Sequence, residues 1–274
     1  MDDATPRRAL SLPEMGQRFG RMFVDAEIGS AIGSWRPKPT DVVISPYSKC
    51  GTTWLQQIFH TLRTRGDMDF DDISRVVPWI ETATALGIDL NAPQRAEPRG
   101  YKSHLAHDAL PPGAKAICSL RDPKDALVSL HRFIEGWILE PGAVSIEDFA
   151  TMYLDRAVAA SYWGHLLSWW AVRHDPGVLL LSYEQMIAEP EAAIRRVAAF
   201  CDIALDDELL ALTLERASIG FMLAHKDRFD DAMMRRMSET RAGSPPGGAS
   251  AKVRQGGVGG HAKDLPPSVA AALD

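Results

Sequence analysis

Residues 41–54 read DVVISPYSKCGTTW and have the order of a strand, a loop and the start of a helix. The apolar run from Asp41 to Pro46 predicts a buried strand, and the residues after the loop have helical spacing. The first N–H groups of a helix lack intrahelical partners and carry the positive end of the helix dipole, so a loop that delivers them to one point binds phosphate. We call residues 47–51 the glycine loop and predict that it holds a phosphate group.

Each residue near the end of this stretch has a property that suits an anion. Gly51 allows a ligand to approach the backbone closely, and Lys49 adds a mobile positive charge. Thr52 and Thr53 can cap the helix or donate hydroxyl groups, and Trp54 offers an aromatic face. The order Gly-x4-Gly-Lys-Ser/Thr of a Walker A loop is absent, which leaves an ordinary strand-to-helix turn with capping threonines as the structural alternative.

Bulk composition limits the kind of protein. With 274 residues and 46% hydrophobic content the chain can bury one large core, so we predict a single domain over residues 1–274. The net charge of −6 argues against nucleic-acid and anionic-membrane partners, so an anion site requires a local concentration of Lys and Arg.

The cysteines and the N-terminus predict a cytoplasmic location. Cys50, Cys118 and Cys201 are widely spaced and odd in number, which fits neither a disulfide framework nor a metal cluster. The sequence starts Met1-Asp2-Asp3 without a signal-peptide pattern, and no apolar run approaches the roughly 20 residues that span a bilayer. We expect no membrane partner, and a monomer or a homodimer.

Short apolar runs alternate with helix-like segments, and this alternation predicts an α/β fold with a central parallel β-sheet flanked by helices. The predicted strands are Val42 to Ser45, Gly100 to Ser103, Ala114 to Leu120 and Val178 to Ser182.

Helix signals accompany these strands. The helix after the glycine loop is expected to stop near Gly66, where a left-handed cap is easy. The best-marked start has Asp122 as N-cap and Pro123 at the first helical position. A long helical pattern runs from about Asp148 to His174 and is interpreted as core packing.

The two ends of the chain have different character. Residues 1–40 are interpreted as an N-terminal extension with a short helix. Residues 238–260 are rich in Gly, Ser and Pro with interspersed Arg and Lys, and we predict that they form a mobile flap.

Polar residues follow the predicted strands. Lys49 follows the first strand, Lys102 and His104 end the second, and Arg121 follows the third. Ser129 lies about two helical turns after Arg121, so both can hold a second phosphate. Because ligands of open parallel sheets bind at the carboxyl ends of the strands, we expect these groups around one crevice.

The glycine loop also carries a specific resemblance. Tyr47 to Trp54 is similar to Tyr-Pro-Lys-Ser-Gly-Thr-Thr-Trp, with Ser48 in place of proline and Cys50 in place of serine. This is the phosphosulfate loop of the cytosolic sulfotransferase family. Members of that family transfer a sulfuryl group from 3′-phosphoadenosine 5′-phosphosulfate (PAPS) to a hydroxyl or amine. The resemblance spans about residues 40–260 and implies the P-loop-like sulfotransferase fold.

Two further motifs support the resemblance. Lys102-Ser103-His104 is similar to the family's Lys-Thr-His, and Arg121 to Ser129 is similar to its Arg-x-Pro/Ala-Lys-Asp-x-x-x-Ser. Order and spacing both agree.

The C-terminal motif agrees less well. Tyr183 resembles the family tyrosine that approaches adenine, and Ser218 falls near another nucleotide-contacting stretch. Arg254, Gln255 and Gly256 begin the counterpart of Arg-Lys-Gly-x-x-Gly-Asp-Trp, which here lacks the lysine, the aspartate and the tryptophan.

The resemblance implies a role for each matched residue. His104 is the expected base for the acceptor proton, and Lys102 and Lys49 are expected to stabilise the transferred group and the departing phosphate. PAPS is the expected co-substrate and no metal is expected. The residues implied to contact the nucleotide are Lys49, Cys50, Gly51, Thr52, Thr53, Trp54, Arg121, Ser129, Tyr183, Ser218, Arg254, Gln255 and Gly256.

The expected acceptor is a small molecule with a hydroxyl or amine group. Trp79 and Phe133, together with His104, are the predicted acceptor-binding residues, although core packing explains either aromatic ring equally well. Two other functions are kept open. One is a nucleotide-dependent kinase with Asp122 as its metal ligand, and the other is a non-catalytic protein that binds adenosine 3′,5′-bisphosphate (PAP).

Overall fold

The computed structural model of the protein describes residues 6–155, 161–247, 252–254 and 256–274. Across these residues a four-stranded sheet forms, and all its strand pairs are parallel. Its strands are β1 (Val42–Ile44), β2 (Gly100–Lys102), β3 (Lys115–Leu120) and β4 (Val178–Ser182). The predicted α/β fold with a central parallel sheet is therefore confirmed.

Helices cover the sheet and extend beyond it. In the described ranges the α-helices are α1 (Leu12–Met22), α2 (Asp25–Ser34), α3 (Thr52–Thr64), α4 (Ile73–Val76), α5 (Ala83–Leu86), α6 (Pro123–Glu135), α7 (Ile146–Leu154), α8 (Tyr162–Ala171), α9 (Tyr183–Ala188), α10 (Pro190–Phe200), α11 (Asp207–Arg216), α12 (Ile219–Ala224), α13 (Ala232–Ala242) and α14 (Pro267–Leu273). Short 3₁₀ turns occupy Ile80–Thr82, His107–Ala109, Lys226–Phe229 and Gly260–Lys263.

The strand order β2-β1-β3-β4 places β1 between β2 and β3. The chain leaves β1 to build β2 on one side and then crosses to build β3 on the other side. Ligands bind beyond the carboxyl ends of parallel strands at such a reversal of strand order. The glycine loop, His104 and Arg121 all follow the carboxyl ends of these three strands, which fixes the position of the site.

Helix α3 is buried along most of its length, its polar residues included. Leu55, Ile58 and Phe59 are at most 1% exposed and share an apolar cluster with Ile44 of β1. A side chain at Gly100 would overlap with the ring of Phe59, so a glycine at the start of β2 permits this close packing. The packing holds the first turn of α3, and the glycine loop before it, at the sheet edge.

The start of α6 forms as its sequence predicts. The carboxylate of Asp122 accepts a hydrogen bond from the backbone N–H of Lys124 at 2.8 Å, and Pro123 occupies the first helical position. This cap orients α6 so that Ser129 and Phe133 face the crevice beside the glycine loop.

One helical prediction needs correction. The pattern from Asp148 to His174 is not one helix, because α7 ends at Leu154 and a separate helix α8 begins where the Ser161 hydroxyl accepts from the N–H of Gly164 at 3.1 Å. Local caps override the hydrophobic period here.

The end of α3 agrees with its prediction. The helix ends at Thr64, and both Arg65 and Gly66 have left-handed φ angles, 52° and 96°.

The terminal segments are partly described. The predicted extension forms α1 and α2, except that residues 1–5 lie outside the described residues. Of the predicted flap, residues 238–242 instead form the end of α13, while residues 248–251 and 255 lie outside the described residues. Mobility of the remainder stays a prediction.

Candidate active site

The glycine loop has a backbone that only glycine adopts easily at its last position. Gly51 has φ 99° and stands as the N-cap of α3. A Cβ there would lie 3.0 Å from Cδ2 of Tyr183. The expected capping by threonine does not occur, because Thr52 is already helical and its Oγ1 is buried without a hydrogen-bond partner among the described residues. That hydroxyl is free for a ligand.

A cavity of about 850 Å³ opens at the carboxyl edge of the sheet. It is lined by these residues from the sequence analysis: Lys49, Gly51, Thr52, Thr53, Trp54, Trp79, Lys102, His104, Arg121, Ser129, Phe133, Tyr183, Ser218, Arg254 and Gly256.

Two of the predicted nucleotide contacts are not among these lining residues. Cys50 is 1% exposed and packs into a core cluster, and its backbone N–H already donates to the carbonyl oxygen of Tyr47 at 3.0 Å, so the predicted contact is not supported. Gln255 lies outside the described residues. The cavity nevertheless joins segments that are more than two hundred residues apart in the chain.

His104 has a defined hydrogen-bond pattern. Its Nδ1 lies 2.8 Å from the carbonyl oxygen of Pro46, and its backbone N–H donates to Oε1 of Glu81 at 2.7 Å. A carbonyl oxygen only accepts, so Nδ1 carries the hydrogen and Nε2 keeps its lone pair. Burial, and after it the charge of Lys102, holds the pKa of His104 well below its usual value. The imidazole is neutral near pH 7.

Two lysines each lie over an aromatic ring of the cavity. The Nζ of Lys102 is 3.9 Å from the ring centroid of Trp79, and the Nζ of Lys49 is 4.3 Å from that of Phe133. Burial lowers the pKa of Lys49 to about 7 and that of Lys102 to about 8. Both ammonium groups are poorly hydrated, which strengthens their interaction with an anion.

Arg121 connects the glycine loop with the C-terminal segment. Its guanidinium donates to the carbonyl oxygens of Lys49 at 2.8 Å and of Gly257 at 3.1 Å, and lies 4.3 Å over the ring of Tyr183. Its Nε is buried without a partner among the described residues. The rings of Tyr183 and Trp54 meet edge to face at 5.7 Å.

The charge of the cavity wall is opposite to that of the whole chain. The described lining contains six basic side chains, Lys49, Lys102, Arg121, Arg132, Lys252 and Arg254, and two acidic ones, Asp125 and Asp231. The chain as a whole carries −6. This local concentration of Lys and Arg favours an anionic ligand, as expected from the sequence.

Sequence reasoning missed three charged groups of the site. Asp231 Oδ2 lies 2.5 Å from Nζ of Lys252 and 3.9 Å from Nζ of Lys102. Arg132, one residue before Phe133, lines the same cavity and pairs with Asp264 at 2.5 Å. Asp231 has no motif around it, whereas the position of Lys252 two residues before Arg254 was an available signal.

The C-terminal segment is held down by Asp125. Its carboxylate accepts from the backbone N–H groups of Gly259 at 2.7 Å and His261 at 3.0 Å, and from Nδ1 of His261 at 2.8 Å. Asp125 belongs to the Arg121-to-Ser129 motif. This motif therefore supplies both a basic residue of the cavity, Arg121, and the carboxylate that holds the C-terminal segment.

Among the described residues no group of three or more His, Cys, Asp or Glu side chains is arranged to hold a metal ion. None of the helices in these parts of the chain combines the length and apolar character needed to cross a bilayer.

Comparison with known proteins decides the family. The sulfotransferase domain family matches residues 39–274. The chain belongs to the sulfotransferase family. This match covers every part of the cavity except the aromatic residues contributed by α1 and the segment after it, Phe19 and Phe23. Membership makes the chain a transferase of the sulfuryl-transfer class.

Curated relatives agree with this family. The chain is 30% identical over 211 residues to sulfotransferase 1 family member D1 of Mus musculus, covering 72% of this chain and 70% of the relative. It is 31% identical over 204 residues to sulfotransferase 1B1 of Mus musculus, with coverages of 70% and 68%. It is 28% identical over 217 residues to an amine sulfotransferase of Oryctolagus cuniculus, with coverages of 76% and 71%.

Solved structures share the fold. Retinol dehydratase, crystallised with androsterone and the inactive cofactor PAP, has a TM-score of 0.75 at 19% identity, covering 97% of this chain and 93% of that one. A mouse sulfotransferase complexed with PAP has a TM-score of 0.69 at 23% identity, with coverages of 92% and 88%. The predicted sulfotransferase fold is thus confirmed.

Proposed function

We propose that this sulfotransferase uses PAPS as its sulfuryl donor and a hydroxyl or amine of a small molecule as acceptor, with His104 as the base. The observation that carries the proposal is the shared cavity of Lys49, Lys102 and His104 at the carboxyl edge of the sheet. A positively charged pair and a neutral imidazole at one wall are the groups that sulfuryl transfer requires.

The nucleotide fits the basic end of this cavity. Thr52 Oγ1 and Arg121 Nε are buried polar atoms without partners among the described residues, so each has a hydrogen bond to offer. The N–H groups of the first turn of α3 point along the helix axis toward the same place. The Thr52 hydroxyl and the α3 N–H groups would hold the 5′-phosphosulfate, while Ser129, Arg121 and Arg254 would hold the 3′-phosphate.

Bound PAPS supplies an activated sulfuryl group with a phosphate as its leaving group. His104 takes the acceptor proton at Nε2, because Nδ1 already carries a hydrogen. The acceptor oxygen forms its new bond to sulfur as the bond from sulfur to the phosphate oxygen breaks, and the released electron pair stays on the phosphate. Lys49 and Lys102 stabilise that negative charge inside the cavity, where water screens it less than in bulk solvent.

The acceptor would enter along an aromatic wall. Phe23 and Trp79 meet at 5.4 Å between ring centroids, and Phe133 and Trp137 meet at 5.4 Å. The Trp79 ring also meets the imidazole of His104 edge to face at 5.2 Å. A flat apolar acceptor packed on this wall has its hydroxyl or amine beside the base.

A transfer assay with labelled PAPS and a panel of phenols, alcohols and amines tests the function. The expected result is acceptor-dependent release of PAP. Calorimetry with PAP alone separates the non-catalytic alternative, since tight PAP binding with no product from any acceptor would support a binding protein and contradict transfer.

The kinase alternative is weakened by the contacts of Asp122. Its Oδ1 caps α6 by accepting from the N–H of Lys124 at 2.8 Å, a structural role that accounts for this aspartate without a metal. Magnesium-dependent transfer from ATP would contradict this conclusion.

A further inference from the structure

A buried ion pair lies inside the cavity and belongs to none of the family motifs. The Nζ of Lys252 is 2.5 Å from Oδ2 of Asp231, and the two side chains are 9% and 8% exposed. The same carboxylate oxygen is 3.9 Å from Nζ of Lys102. One aspartate thus faces two ammonium groups, and all three residues line the cavity.

The backbone of Asp231 is held in an unusual conformation. It has φ 48°, in the left-handed region that non-glycine residues seldom adopt. It stands as the N-cap of α13 but makes no side-chain cap to that helix. Its carboxylate instead accepts from the Ser74 hydroxyl at 3.4 Å and faces the lysines. Such strain is found where a side chain is needed in one direction.

Lys252 contacts its charged neighbours through both its side chain and its backbone. Its ammonium group pairs with Asp231, and its backbone carbonyl lies 3.4 Å from Nζ of Lys49. Lys252 comes from the C-terminal segment, whereas Lys49 follows β1 and Lys102 ends β2. Two ammonium groups from distant parts of the chain therefore face one carboxylate, and a third, that of Lys49, contacts the backbone beside them.

Fold stability does not explain this arrangement. A buried ion pair costs desolvation, and replacing it by well-packed apolar residues is often neutral or stabilising. Phe133 and Trp79 already supply apolar surface in the same cavity. The charges of the pair act instead on Lys49 and Lys102, and that of Lys252 also on His104.

We propose that Lys252 is a third lysine of the sulfuryl-transfer centre, and that Asp231 is the positioning residue that directs Lys252 and Lys102 toward the sulfonate. The proposal rests on the proposed function. No new bond-breaking step is involved. Lys252 adds a positive charge next to the phosphate oxygen that receives the electron pair, and Asp231 limits the repulsion among the ammonium groups.

The proposal makes opposite predictions for the two partners. The negative charge of Asp231 raises the pKa of Lys49 and Lys102, whereas the positive charge of Lys252 lowers both. The other charged groups that face these lysines are Asp72, Glu81 and Arg121. The charges of Lys102, Lys252 and His165 act on His104. Substitutions at 231 or 252 leave Asp72, Glu81, Arg121 and His165 unchanged.

Competitive acetylation of the ligand-free protein with acetic anhydride, read by peptide mass spectrometry over a pH series, gives the pKa of each lysine without a turnover assay. Asp231→Asn is expected to lower the pKa of Lys49 and Lys102, and Lys252→Met to raise both. Lys252→Arg keeps the charge and is expected to leave both near their wild-type values. The control Lys263→Met changes an exposed lysine of the same segment and is expected to shift neither.

Shifts of the same sign in Asp231→Asn and Lys252→Met, or no shift in either, would overturn the proposal. A variant that loses its native circular dichroism is replaced by a second neutral substitution, Asp231→Ser or Lys252→Gln, for which the same shifts are expected. The acetylation result stands even if no acceptor is found, so it is independent of the proposed function.

Transfer kinetics supply the second measurement. Lys252→Met is expected to lower kcat about 10²-fold, the cost of removing one group that stabilises developing charge. The same variant is expected to weaken PAP binding by about tenfold at most. Lys252→Arg is expected to recover most of the rate. Equal losses in turnover and in PAP affinity, or unchanged turnover, would overturn the assignment of Lys252 to the transferred group.

Discussion

The Nδ1 atom of His104 lies 2.8 Å from the carbonyl oxygen of Pro46, the residue that joins β1 to the glycine loop. The strand that carries the glycine loop thereby also sets the tautomer of the imidazole. Because a carbonyl oxygen accepts only, the lone pair is confined to Nε2. The orientation of the proposed base and the position of the loop are coupled through this one hydrogen bond.

Substitution of His104 tests its role as the base. His104→Ala is expected to lower kcat by about 10²–10⁴-fold, the usual contribution of general base catalysis, and to leave PAP binding nearly unchanged. The matched control is His225→Ala, a histidine that stacks on Phe221 away from the cavity. Turnover by His104→Ala at the rate of the control would reject the proposed base.

Substitution of Arg121 tests nucleotide binding. Loss of charge-assisted hydrogen bonds costs about 1.5–3 kcal/mol, so Arg121→Ala is expected to weaken PAP binding about 10–150-fold in calorimetry. Arg196→Ala removes an exposed arginine bound to the carbonyl of Leu180 and serves as the control. Equal affinities of the two variants for PAP would contradict the contact. A weaker effect on adenosine 5′-monophosphate would locate the contact at the 3′-phosphate.

The affinity for PAP is expected to depend on pH. Burial lowers the pKa of Lys49 to about 7 and that of Lys102 to about 8. The positive charges that hold an anion are therefore present below these values and are lost as the pH rises through them. We expect the PAP dissociation constant to increase between about pH 7 and 9, with proton uptake on binding that calorimetry in buffers of different ionisation enthalpy detects. A flat profile over this range would contradict the role of the lysines.

The geometry of the glycine loop is testable at Gly51. Gly51→Ala combines the cost of positive φ, about 1–2 kcal/mol, with a 3.0 Å contact to Tyr183, so it is expected to lower stability in denaturant titration and to weaken PAP binding. Gly87→Ala is the matched control, since Gly87 also has positive φ, 66°, but nothing lies within 4 Å of its added Cβ. The control is expected to lose stability without losing PAP affinity. Similar PAP affinities in both variants would argue against the loop as the binding element.

Much of the fold could be predicted because its signals are local. The four strands were recognised as short apolar runs, and the start of α6 as Asp122 followed by Pro123. The division of the 148–174 pattern into two helices was missed, because the apolar period continues through a break that the Ser161 cap decides. In this case the local cap outweighs the apolar period.

The site was predictable to the extent that its residues belong to contiguous motifs. Lys49, Lys102, His104, Arg121 and Ser129 all line one cavity, as expected from their places after the strands. Their individual chemical roles stay predictions until the variants are measured.

By itself the sequence determined the alternation of strands and helices, the glycine loop and the family motifs, because apolar period and turn chemistry act between residues close in the chain. Only the tertiary structure decided that Asp231 and Lys252 meet Lys102, and that Pro46 directs the imidazole of His104. The partner of a charged side chain or of a carbonyl group cannot be inferred from spacing in the sequence. Its effect depends on distance and burial in space, and these exist only once remote segments have packed together.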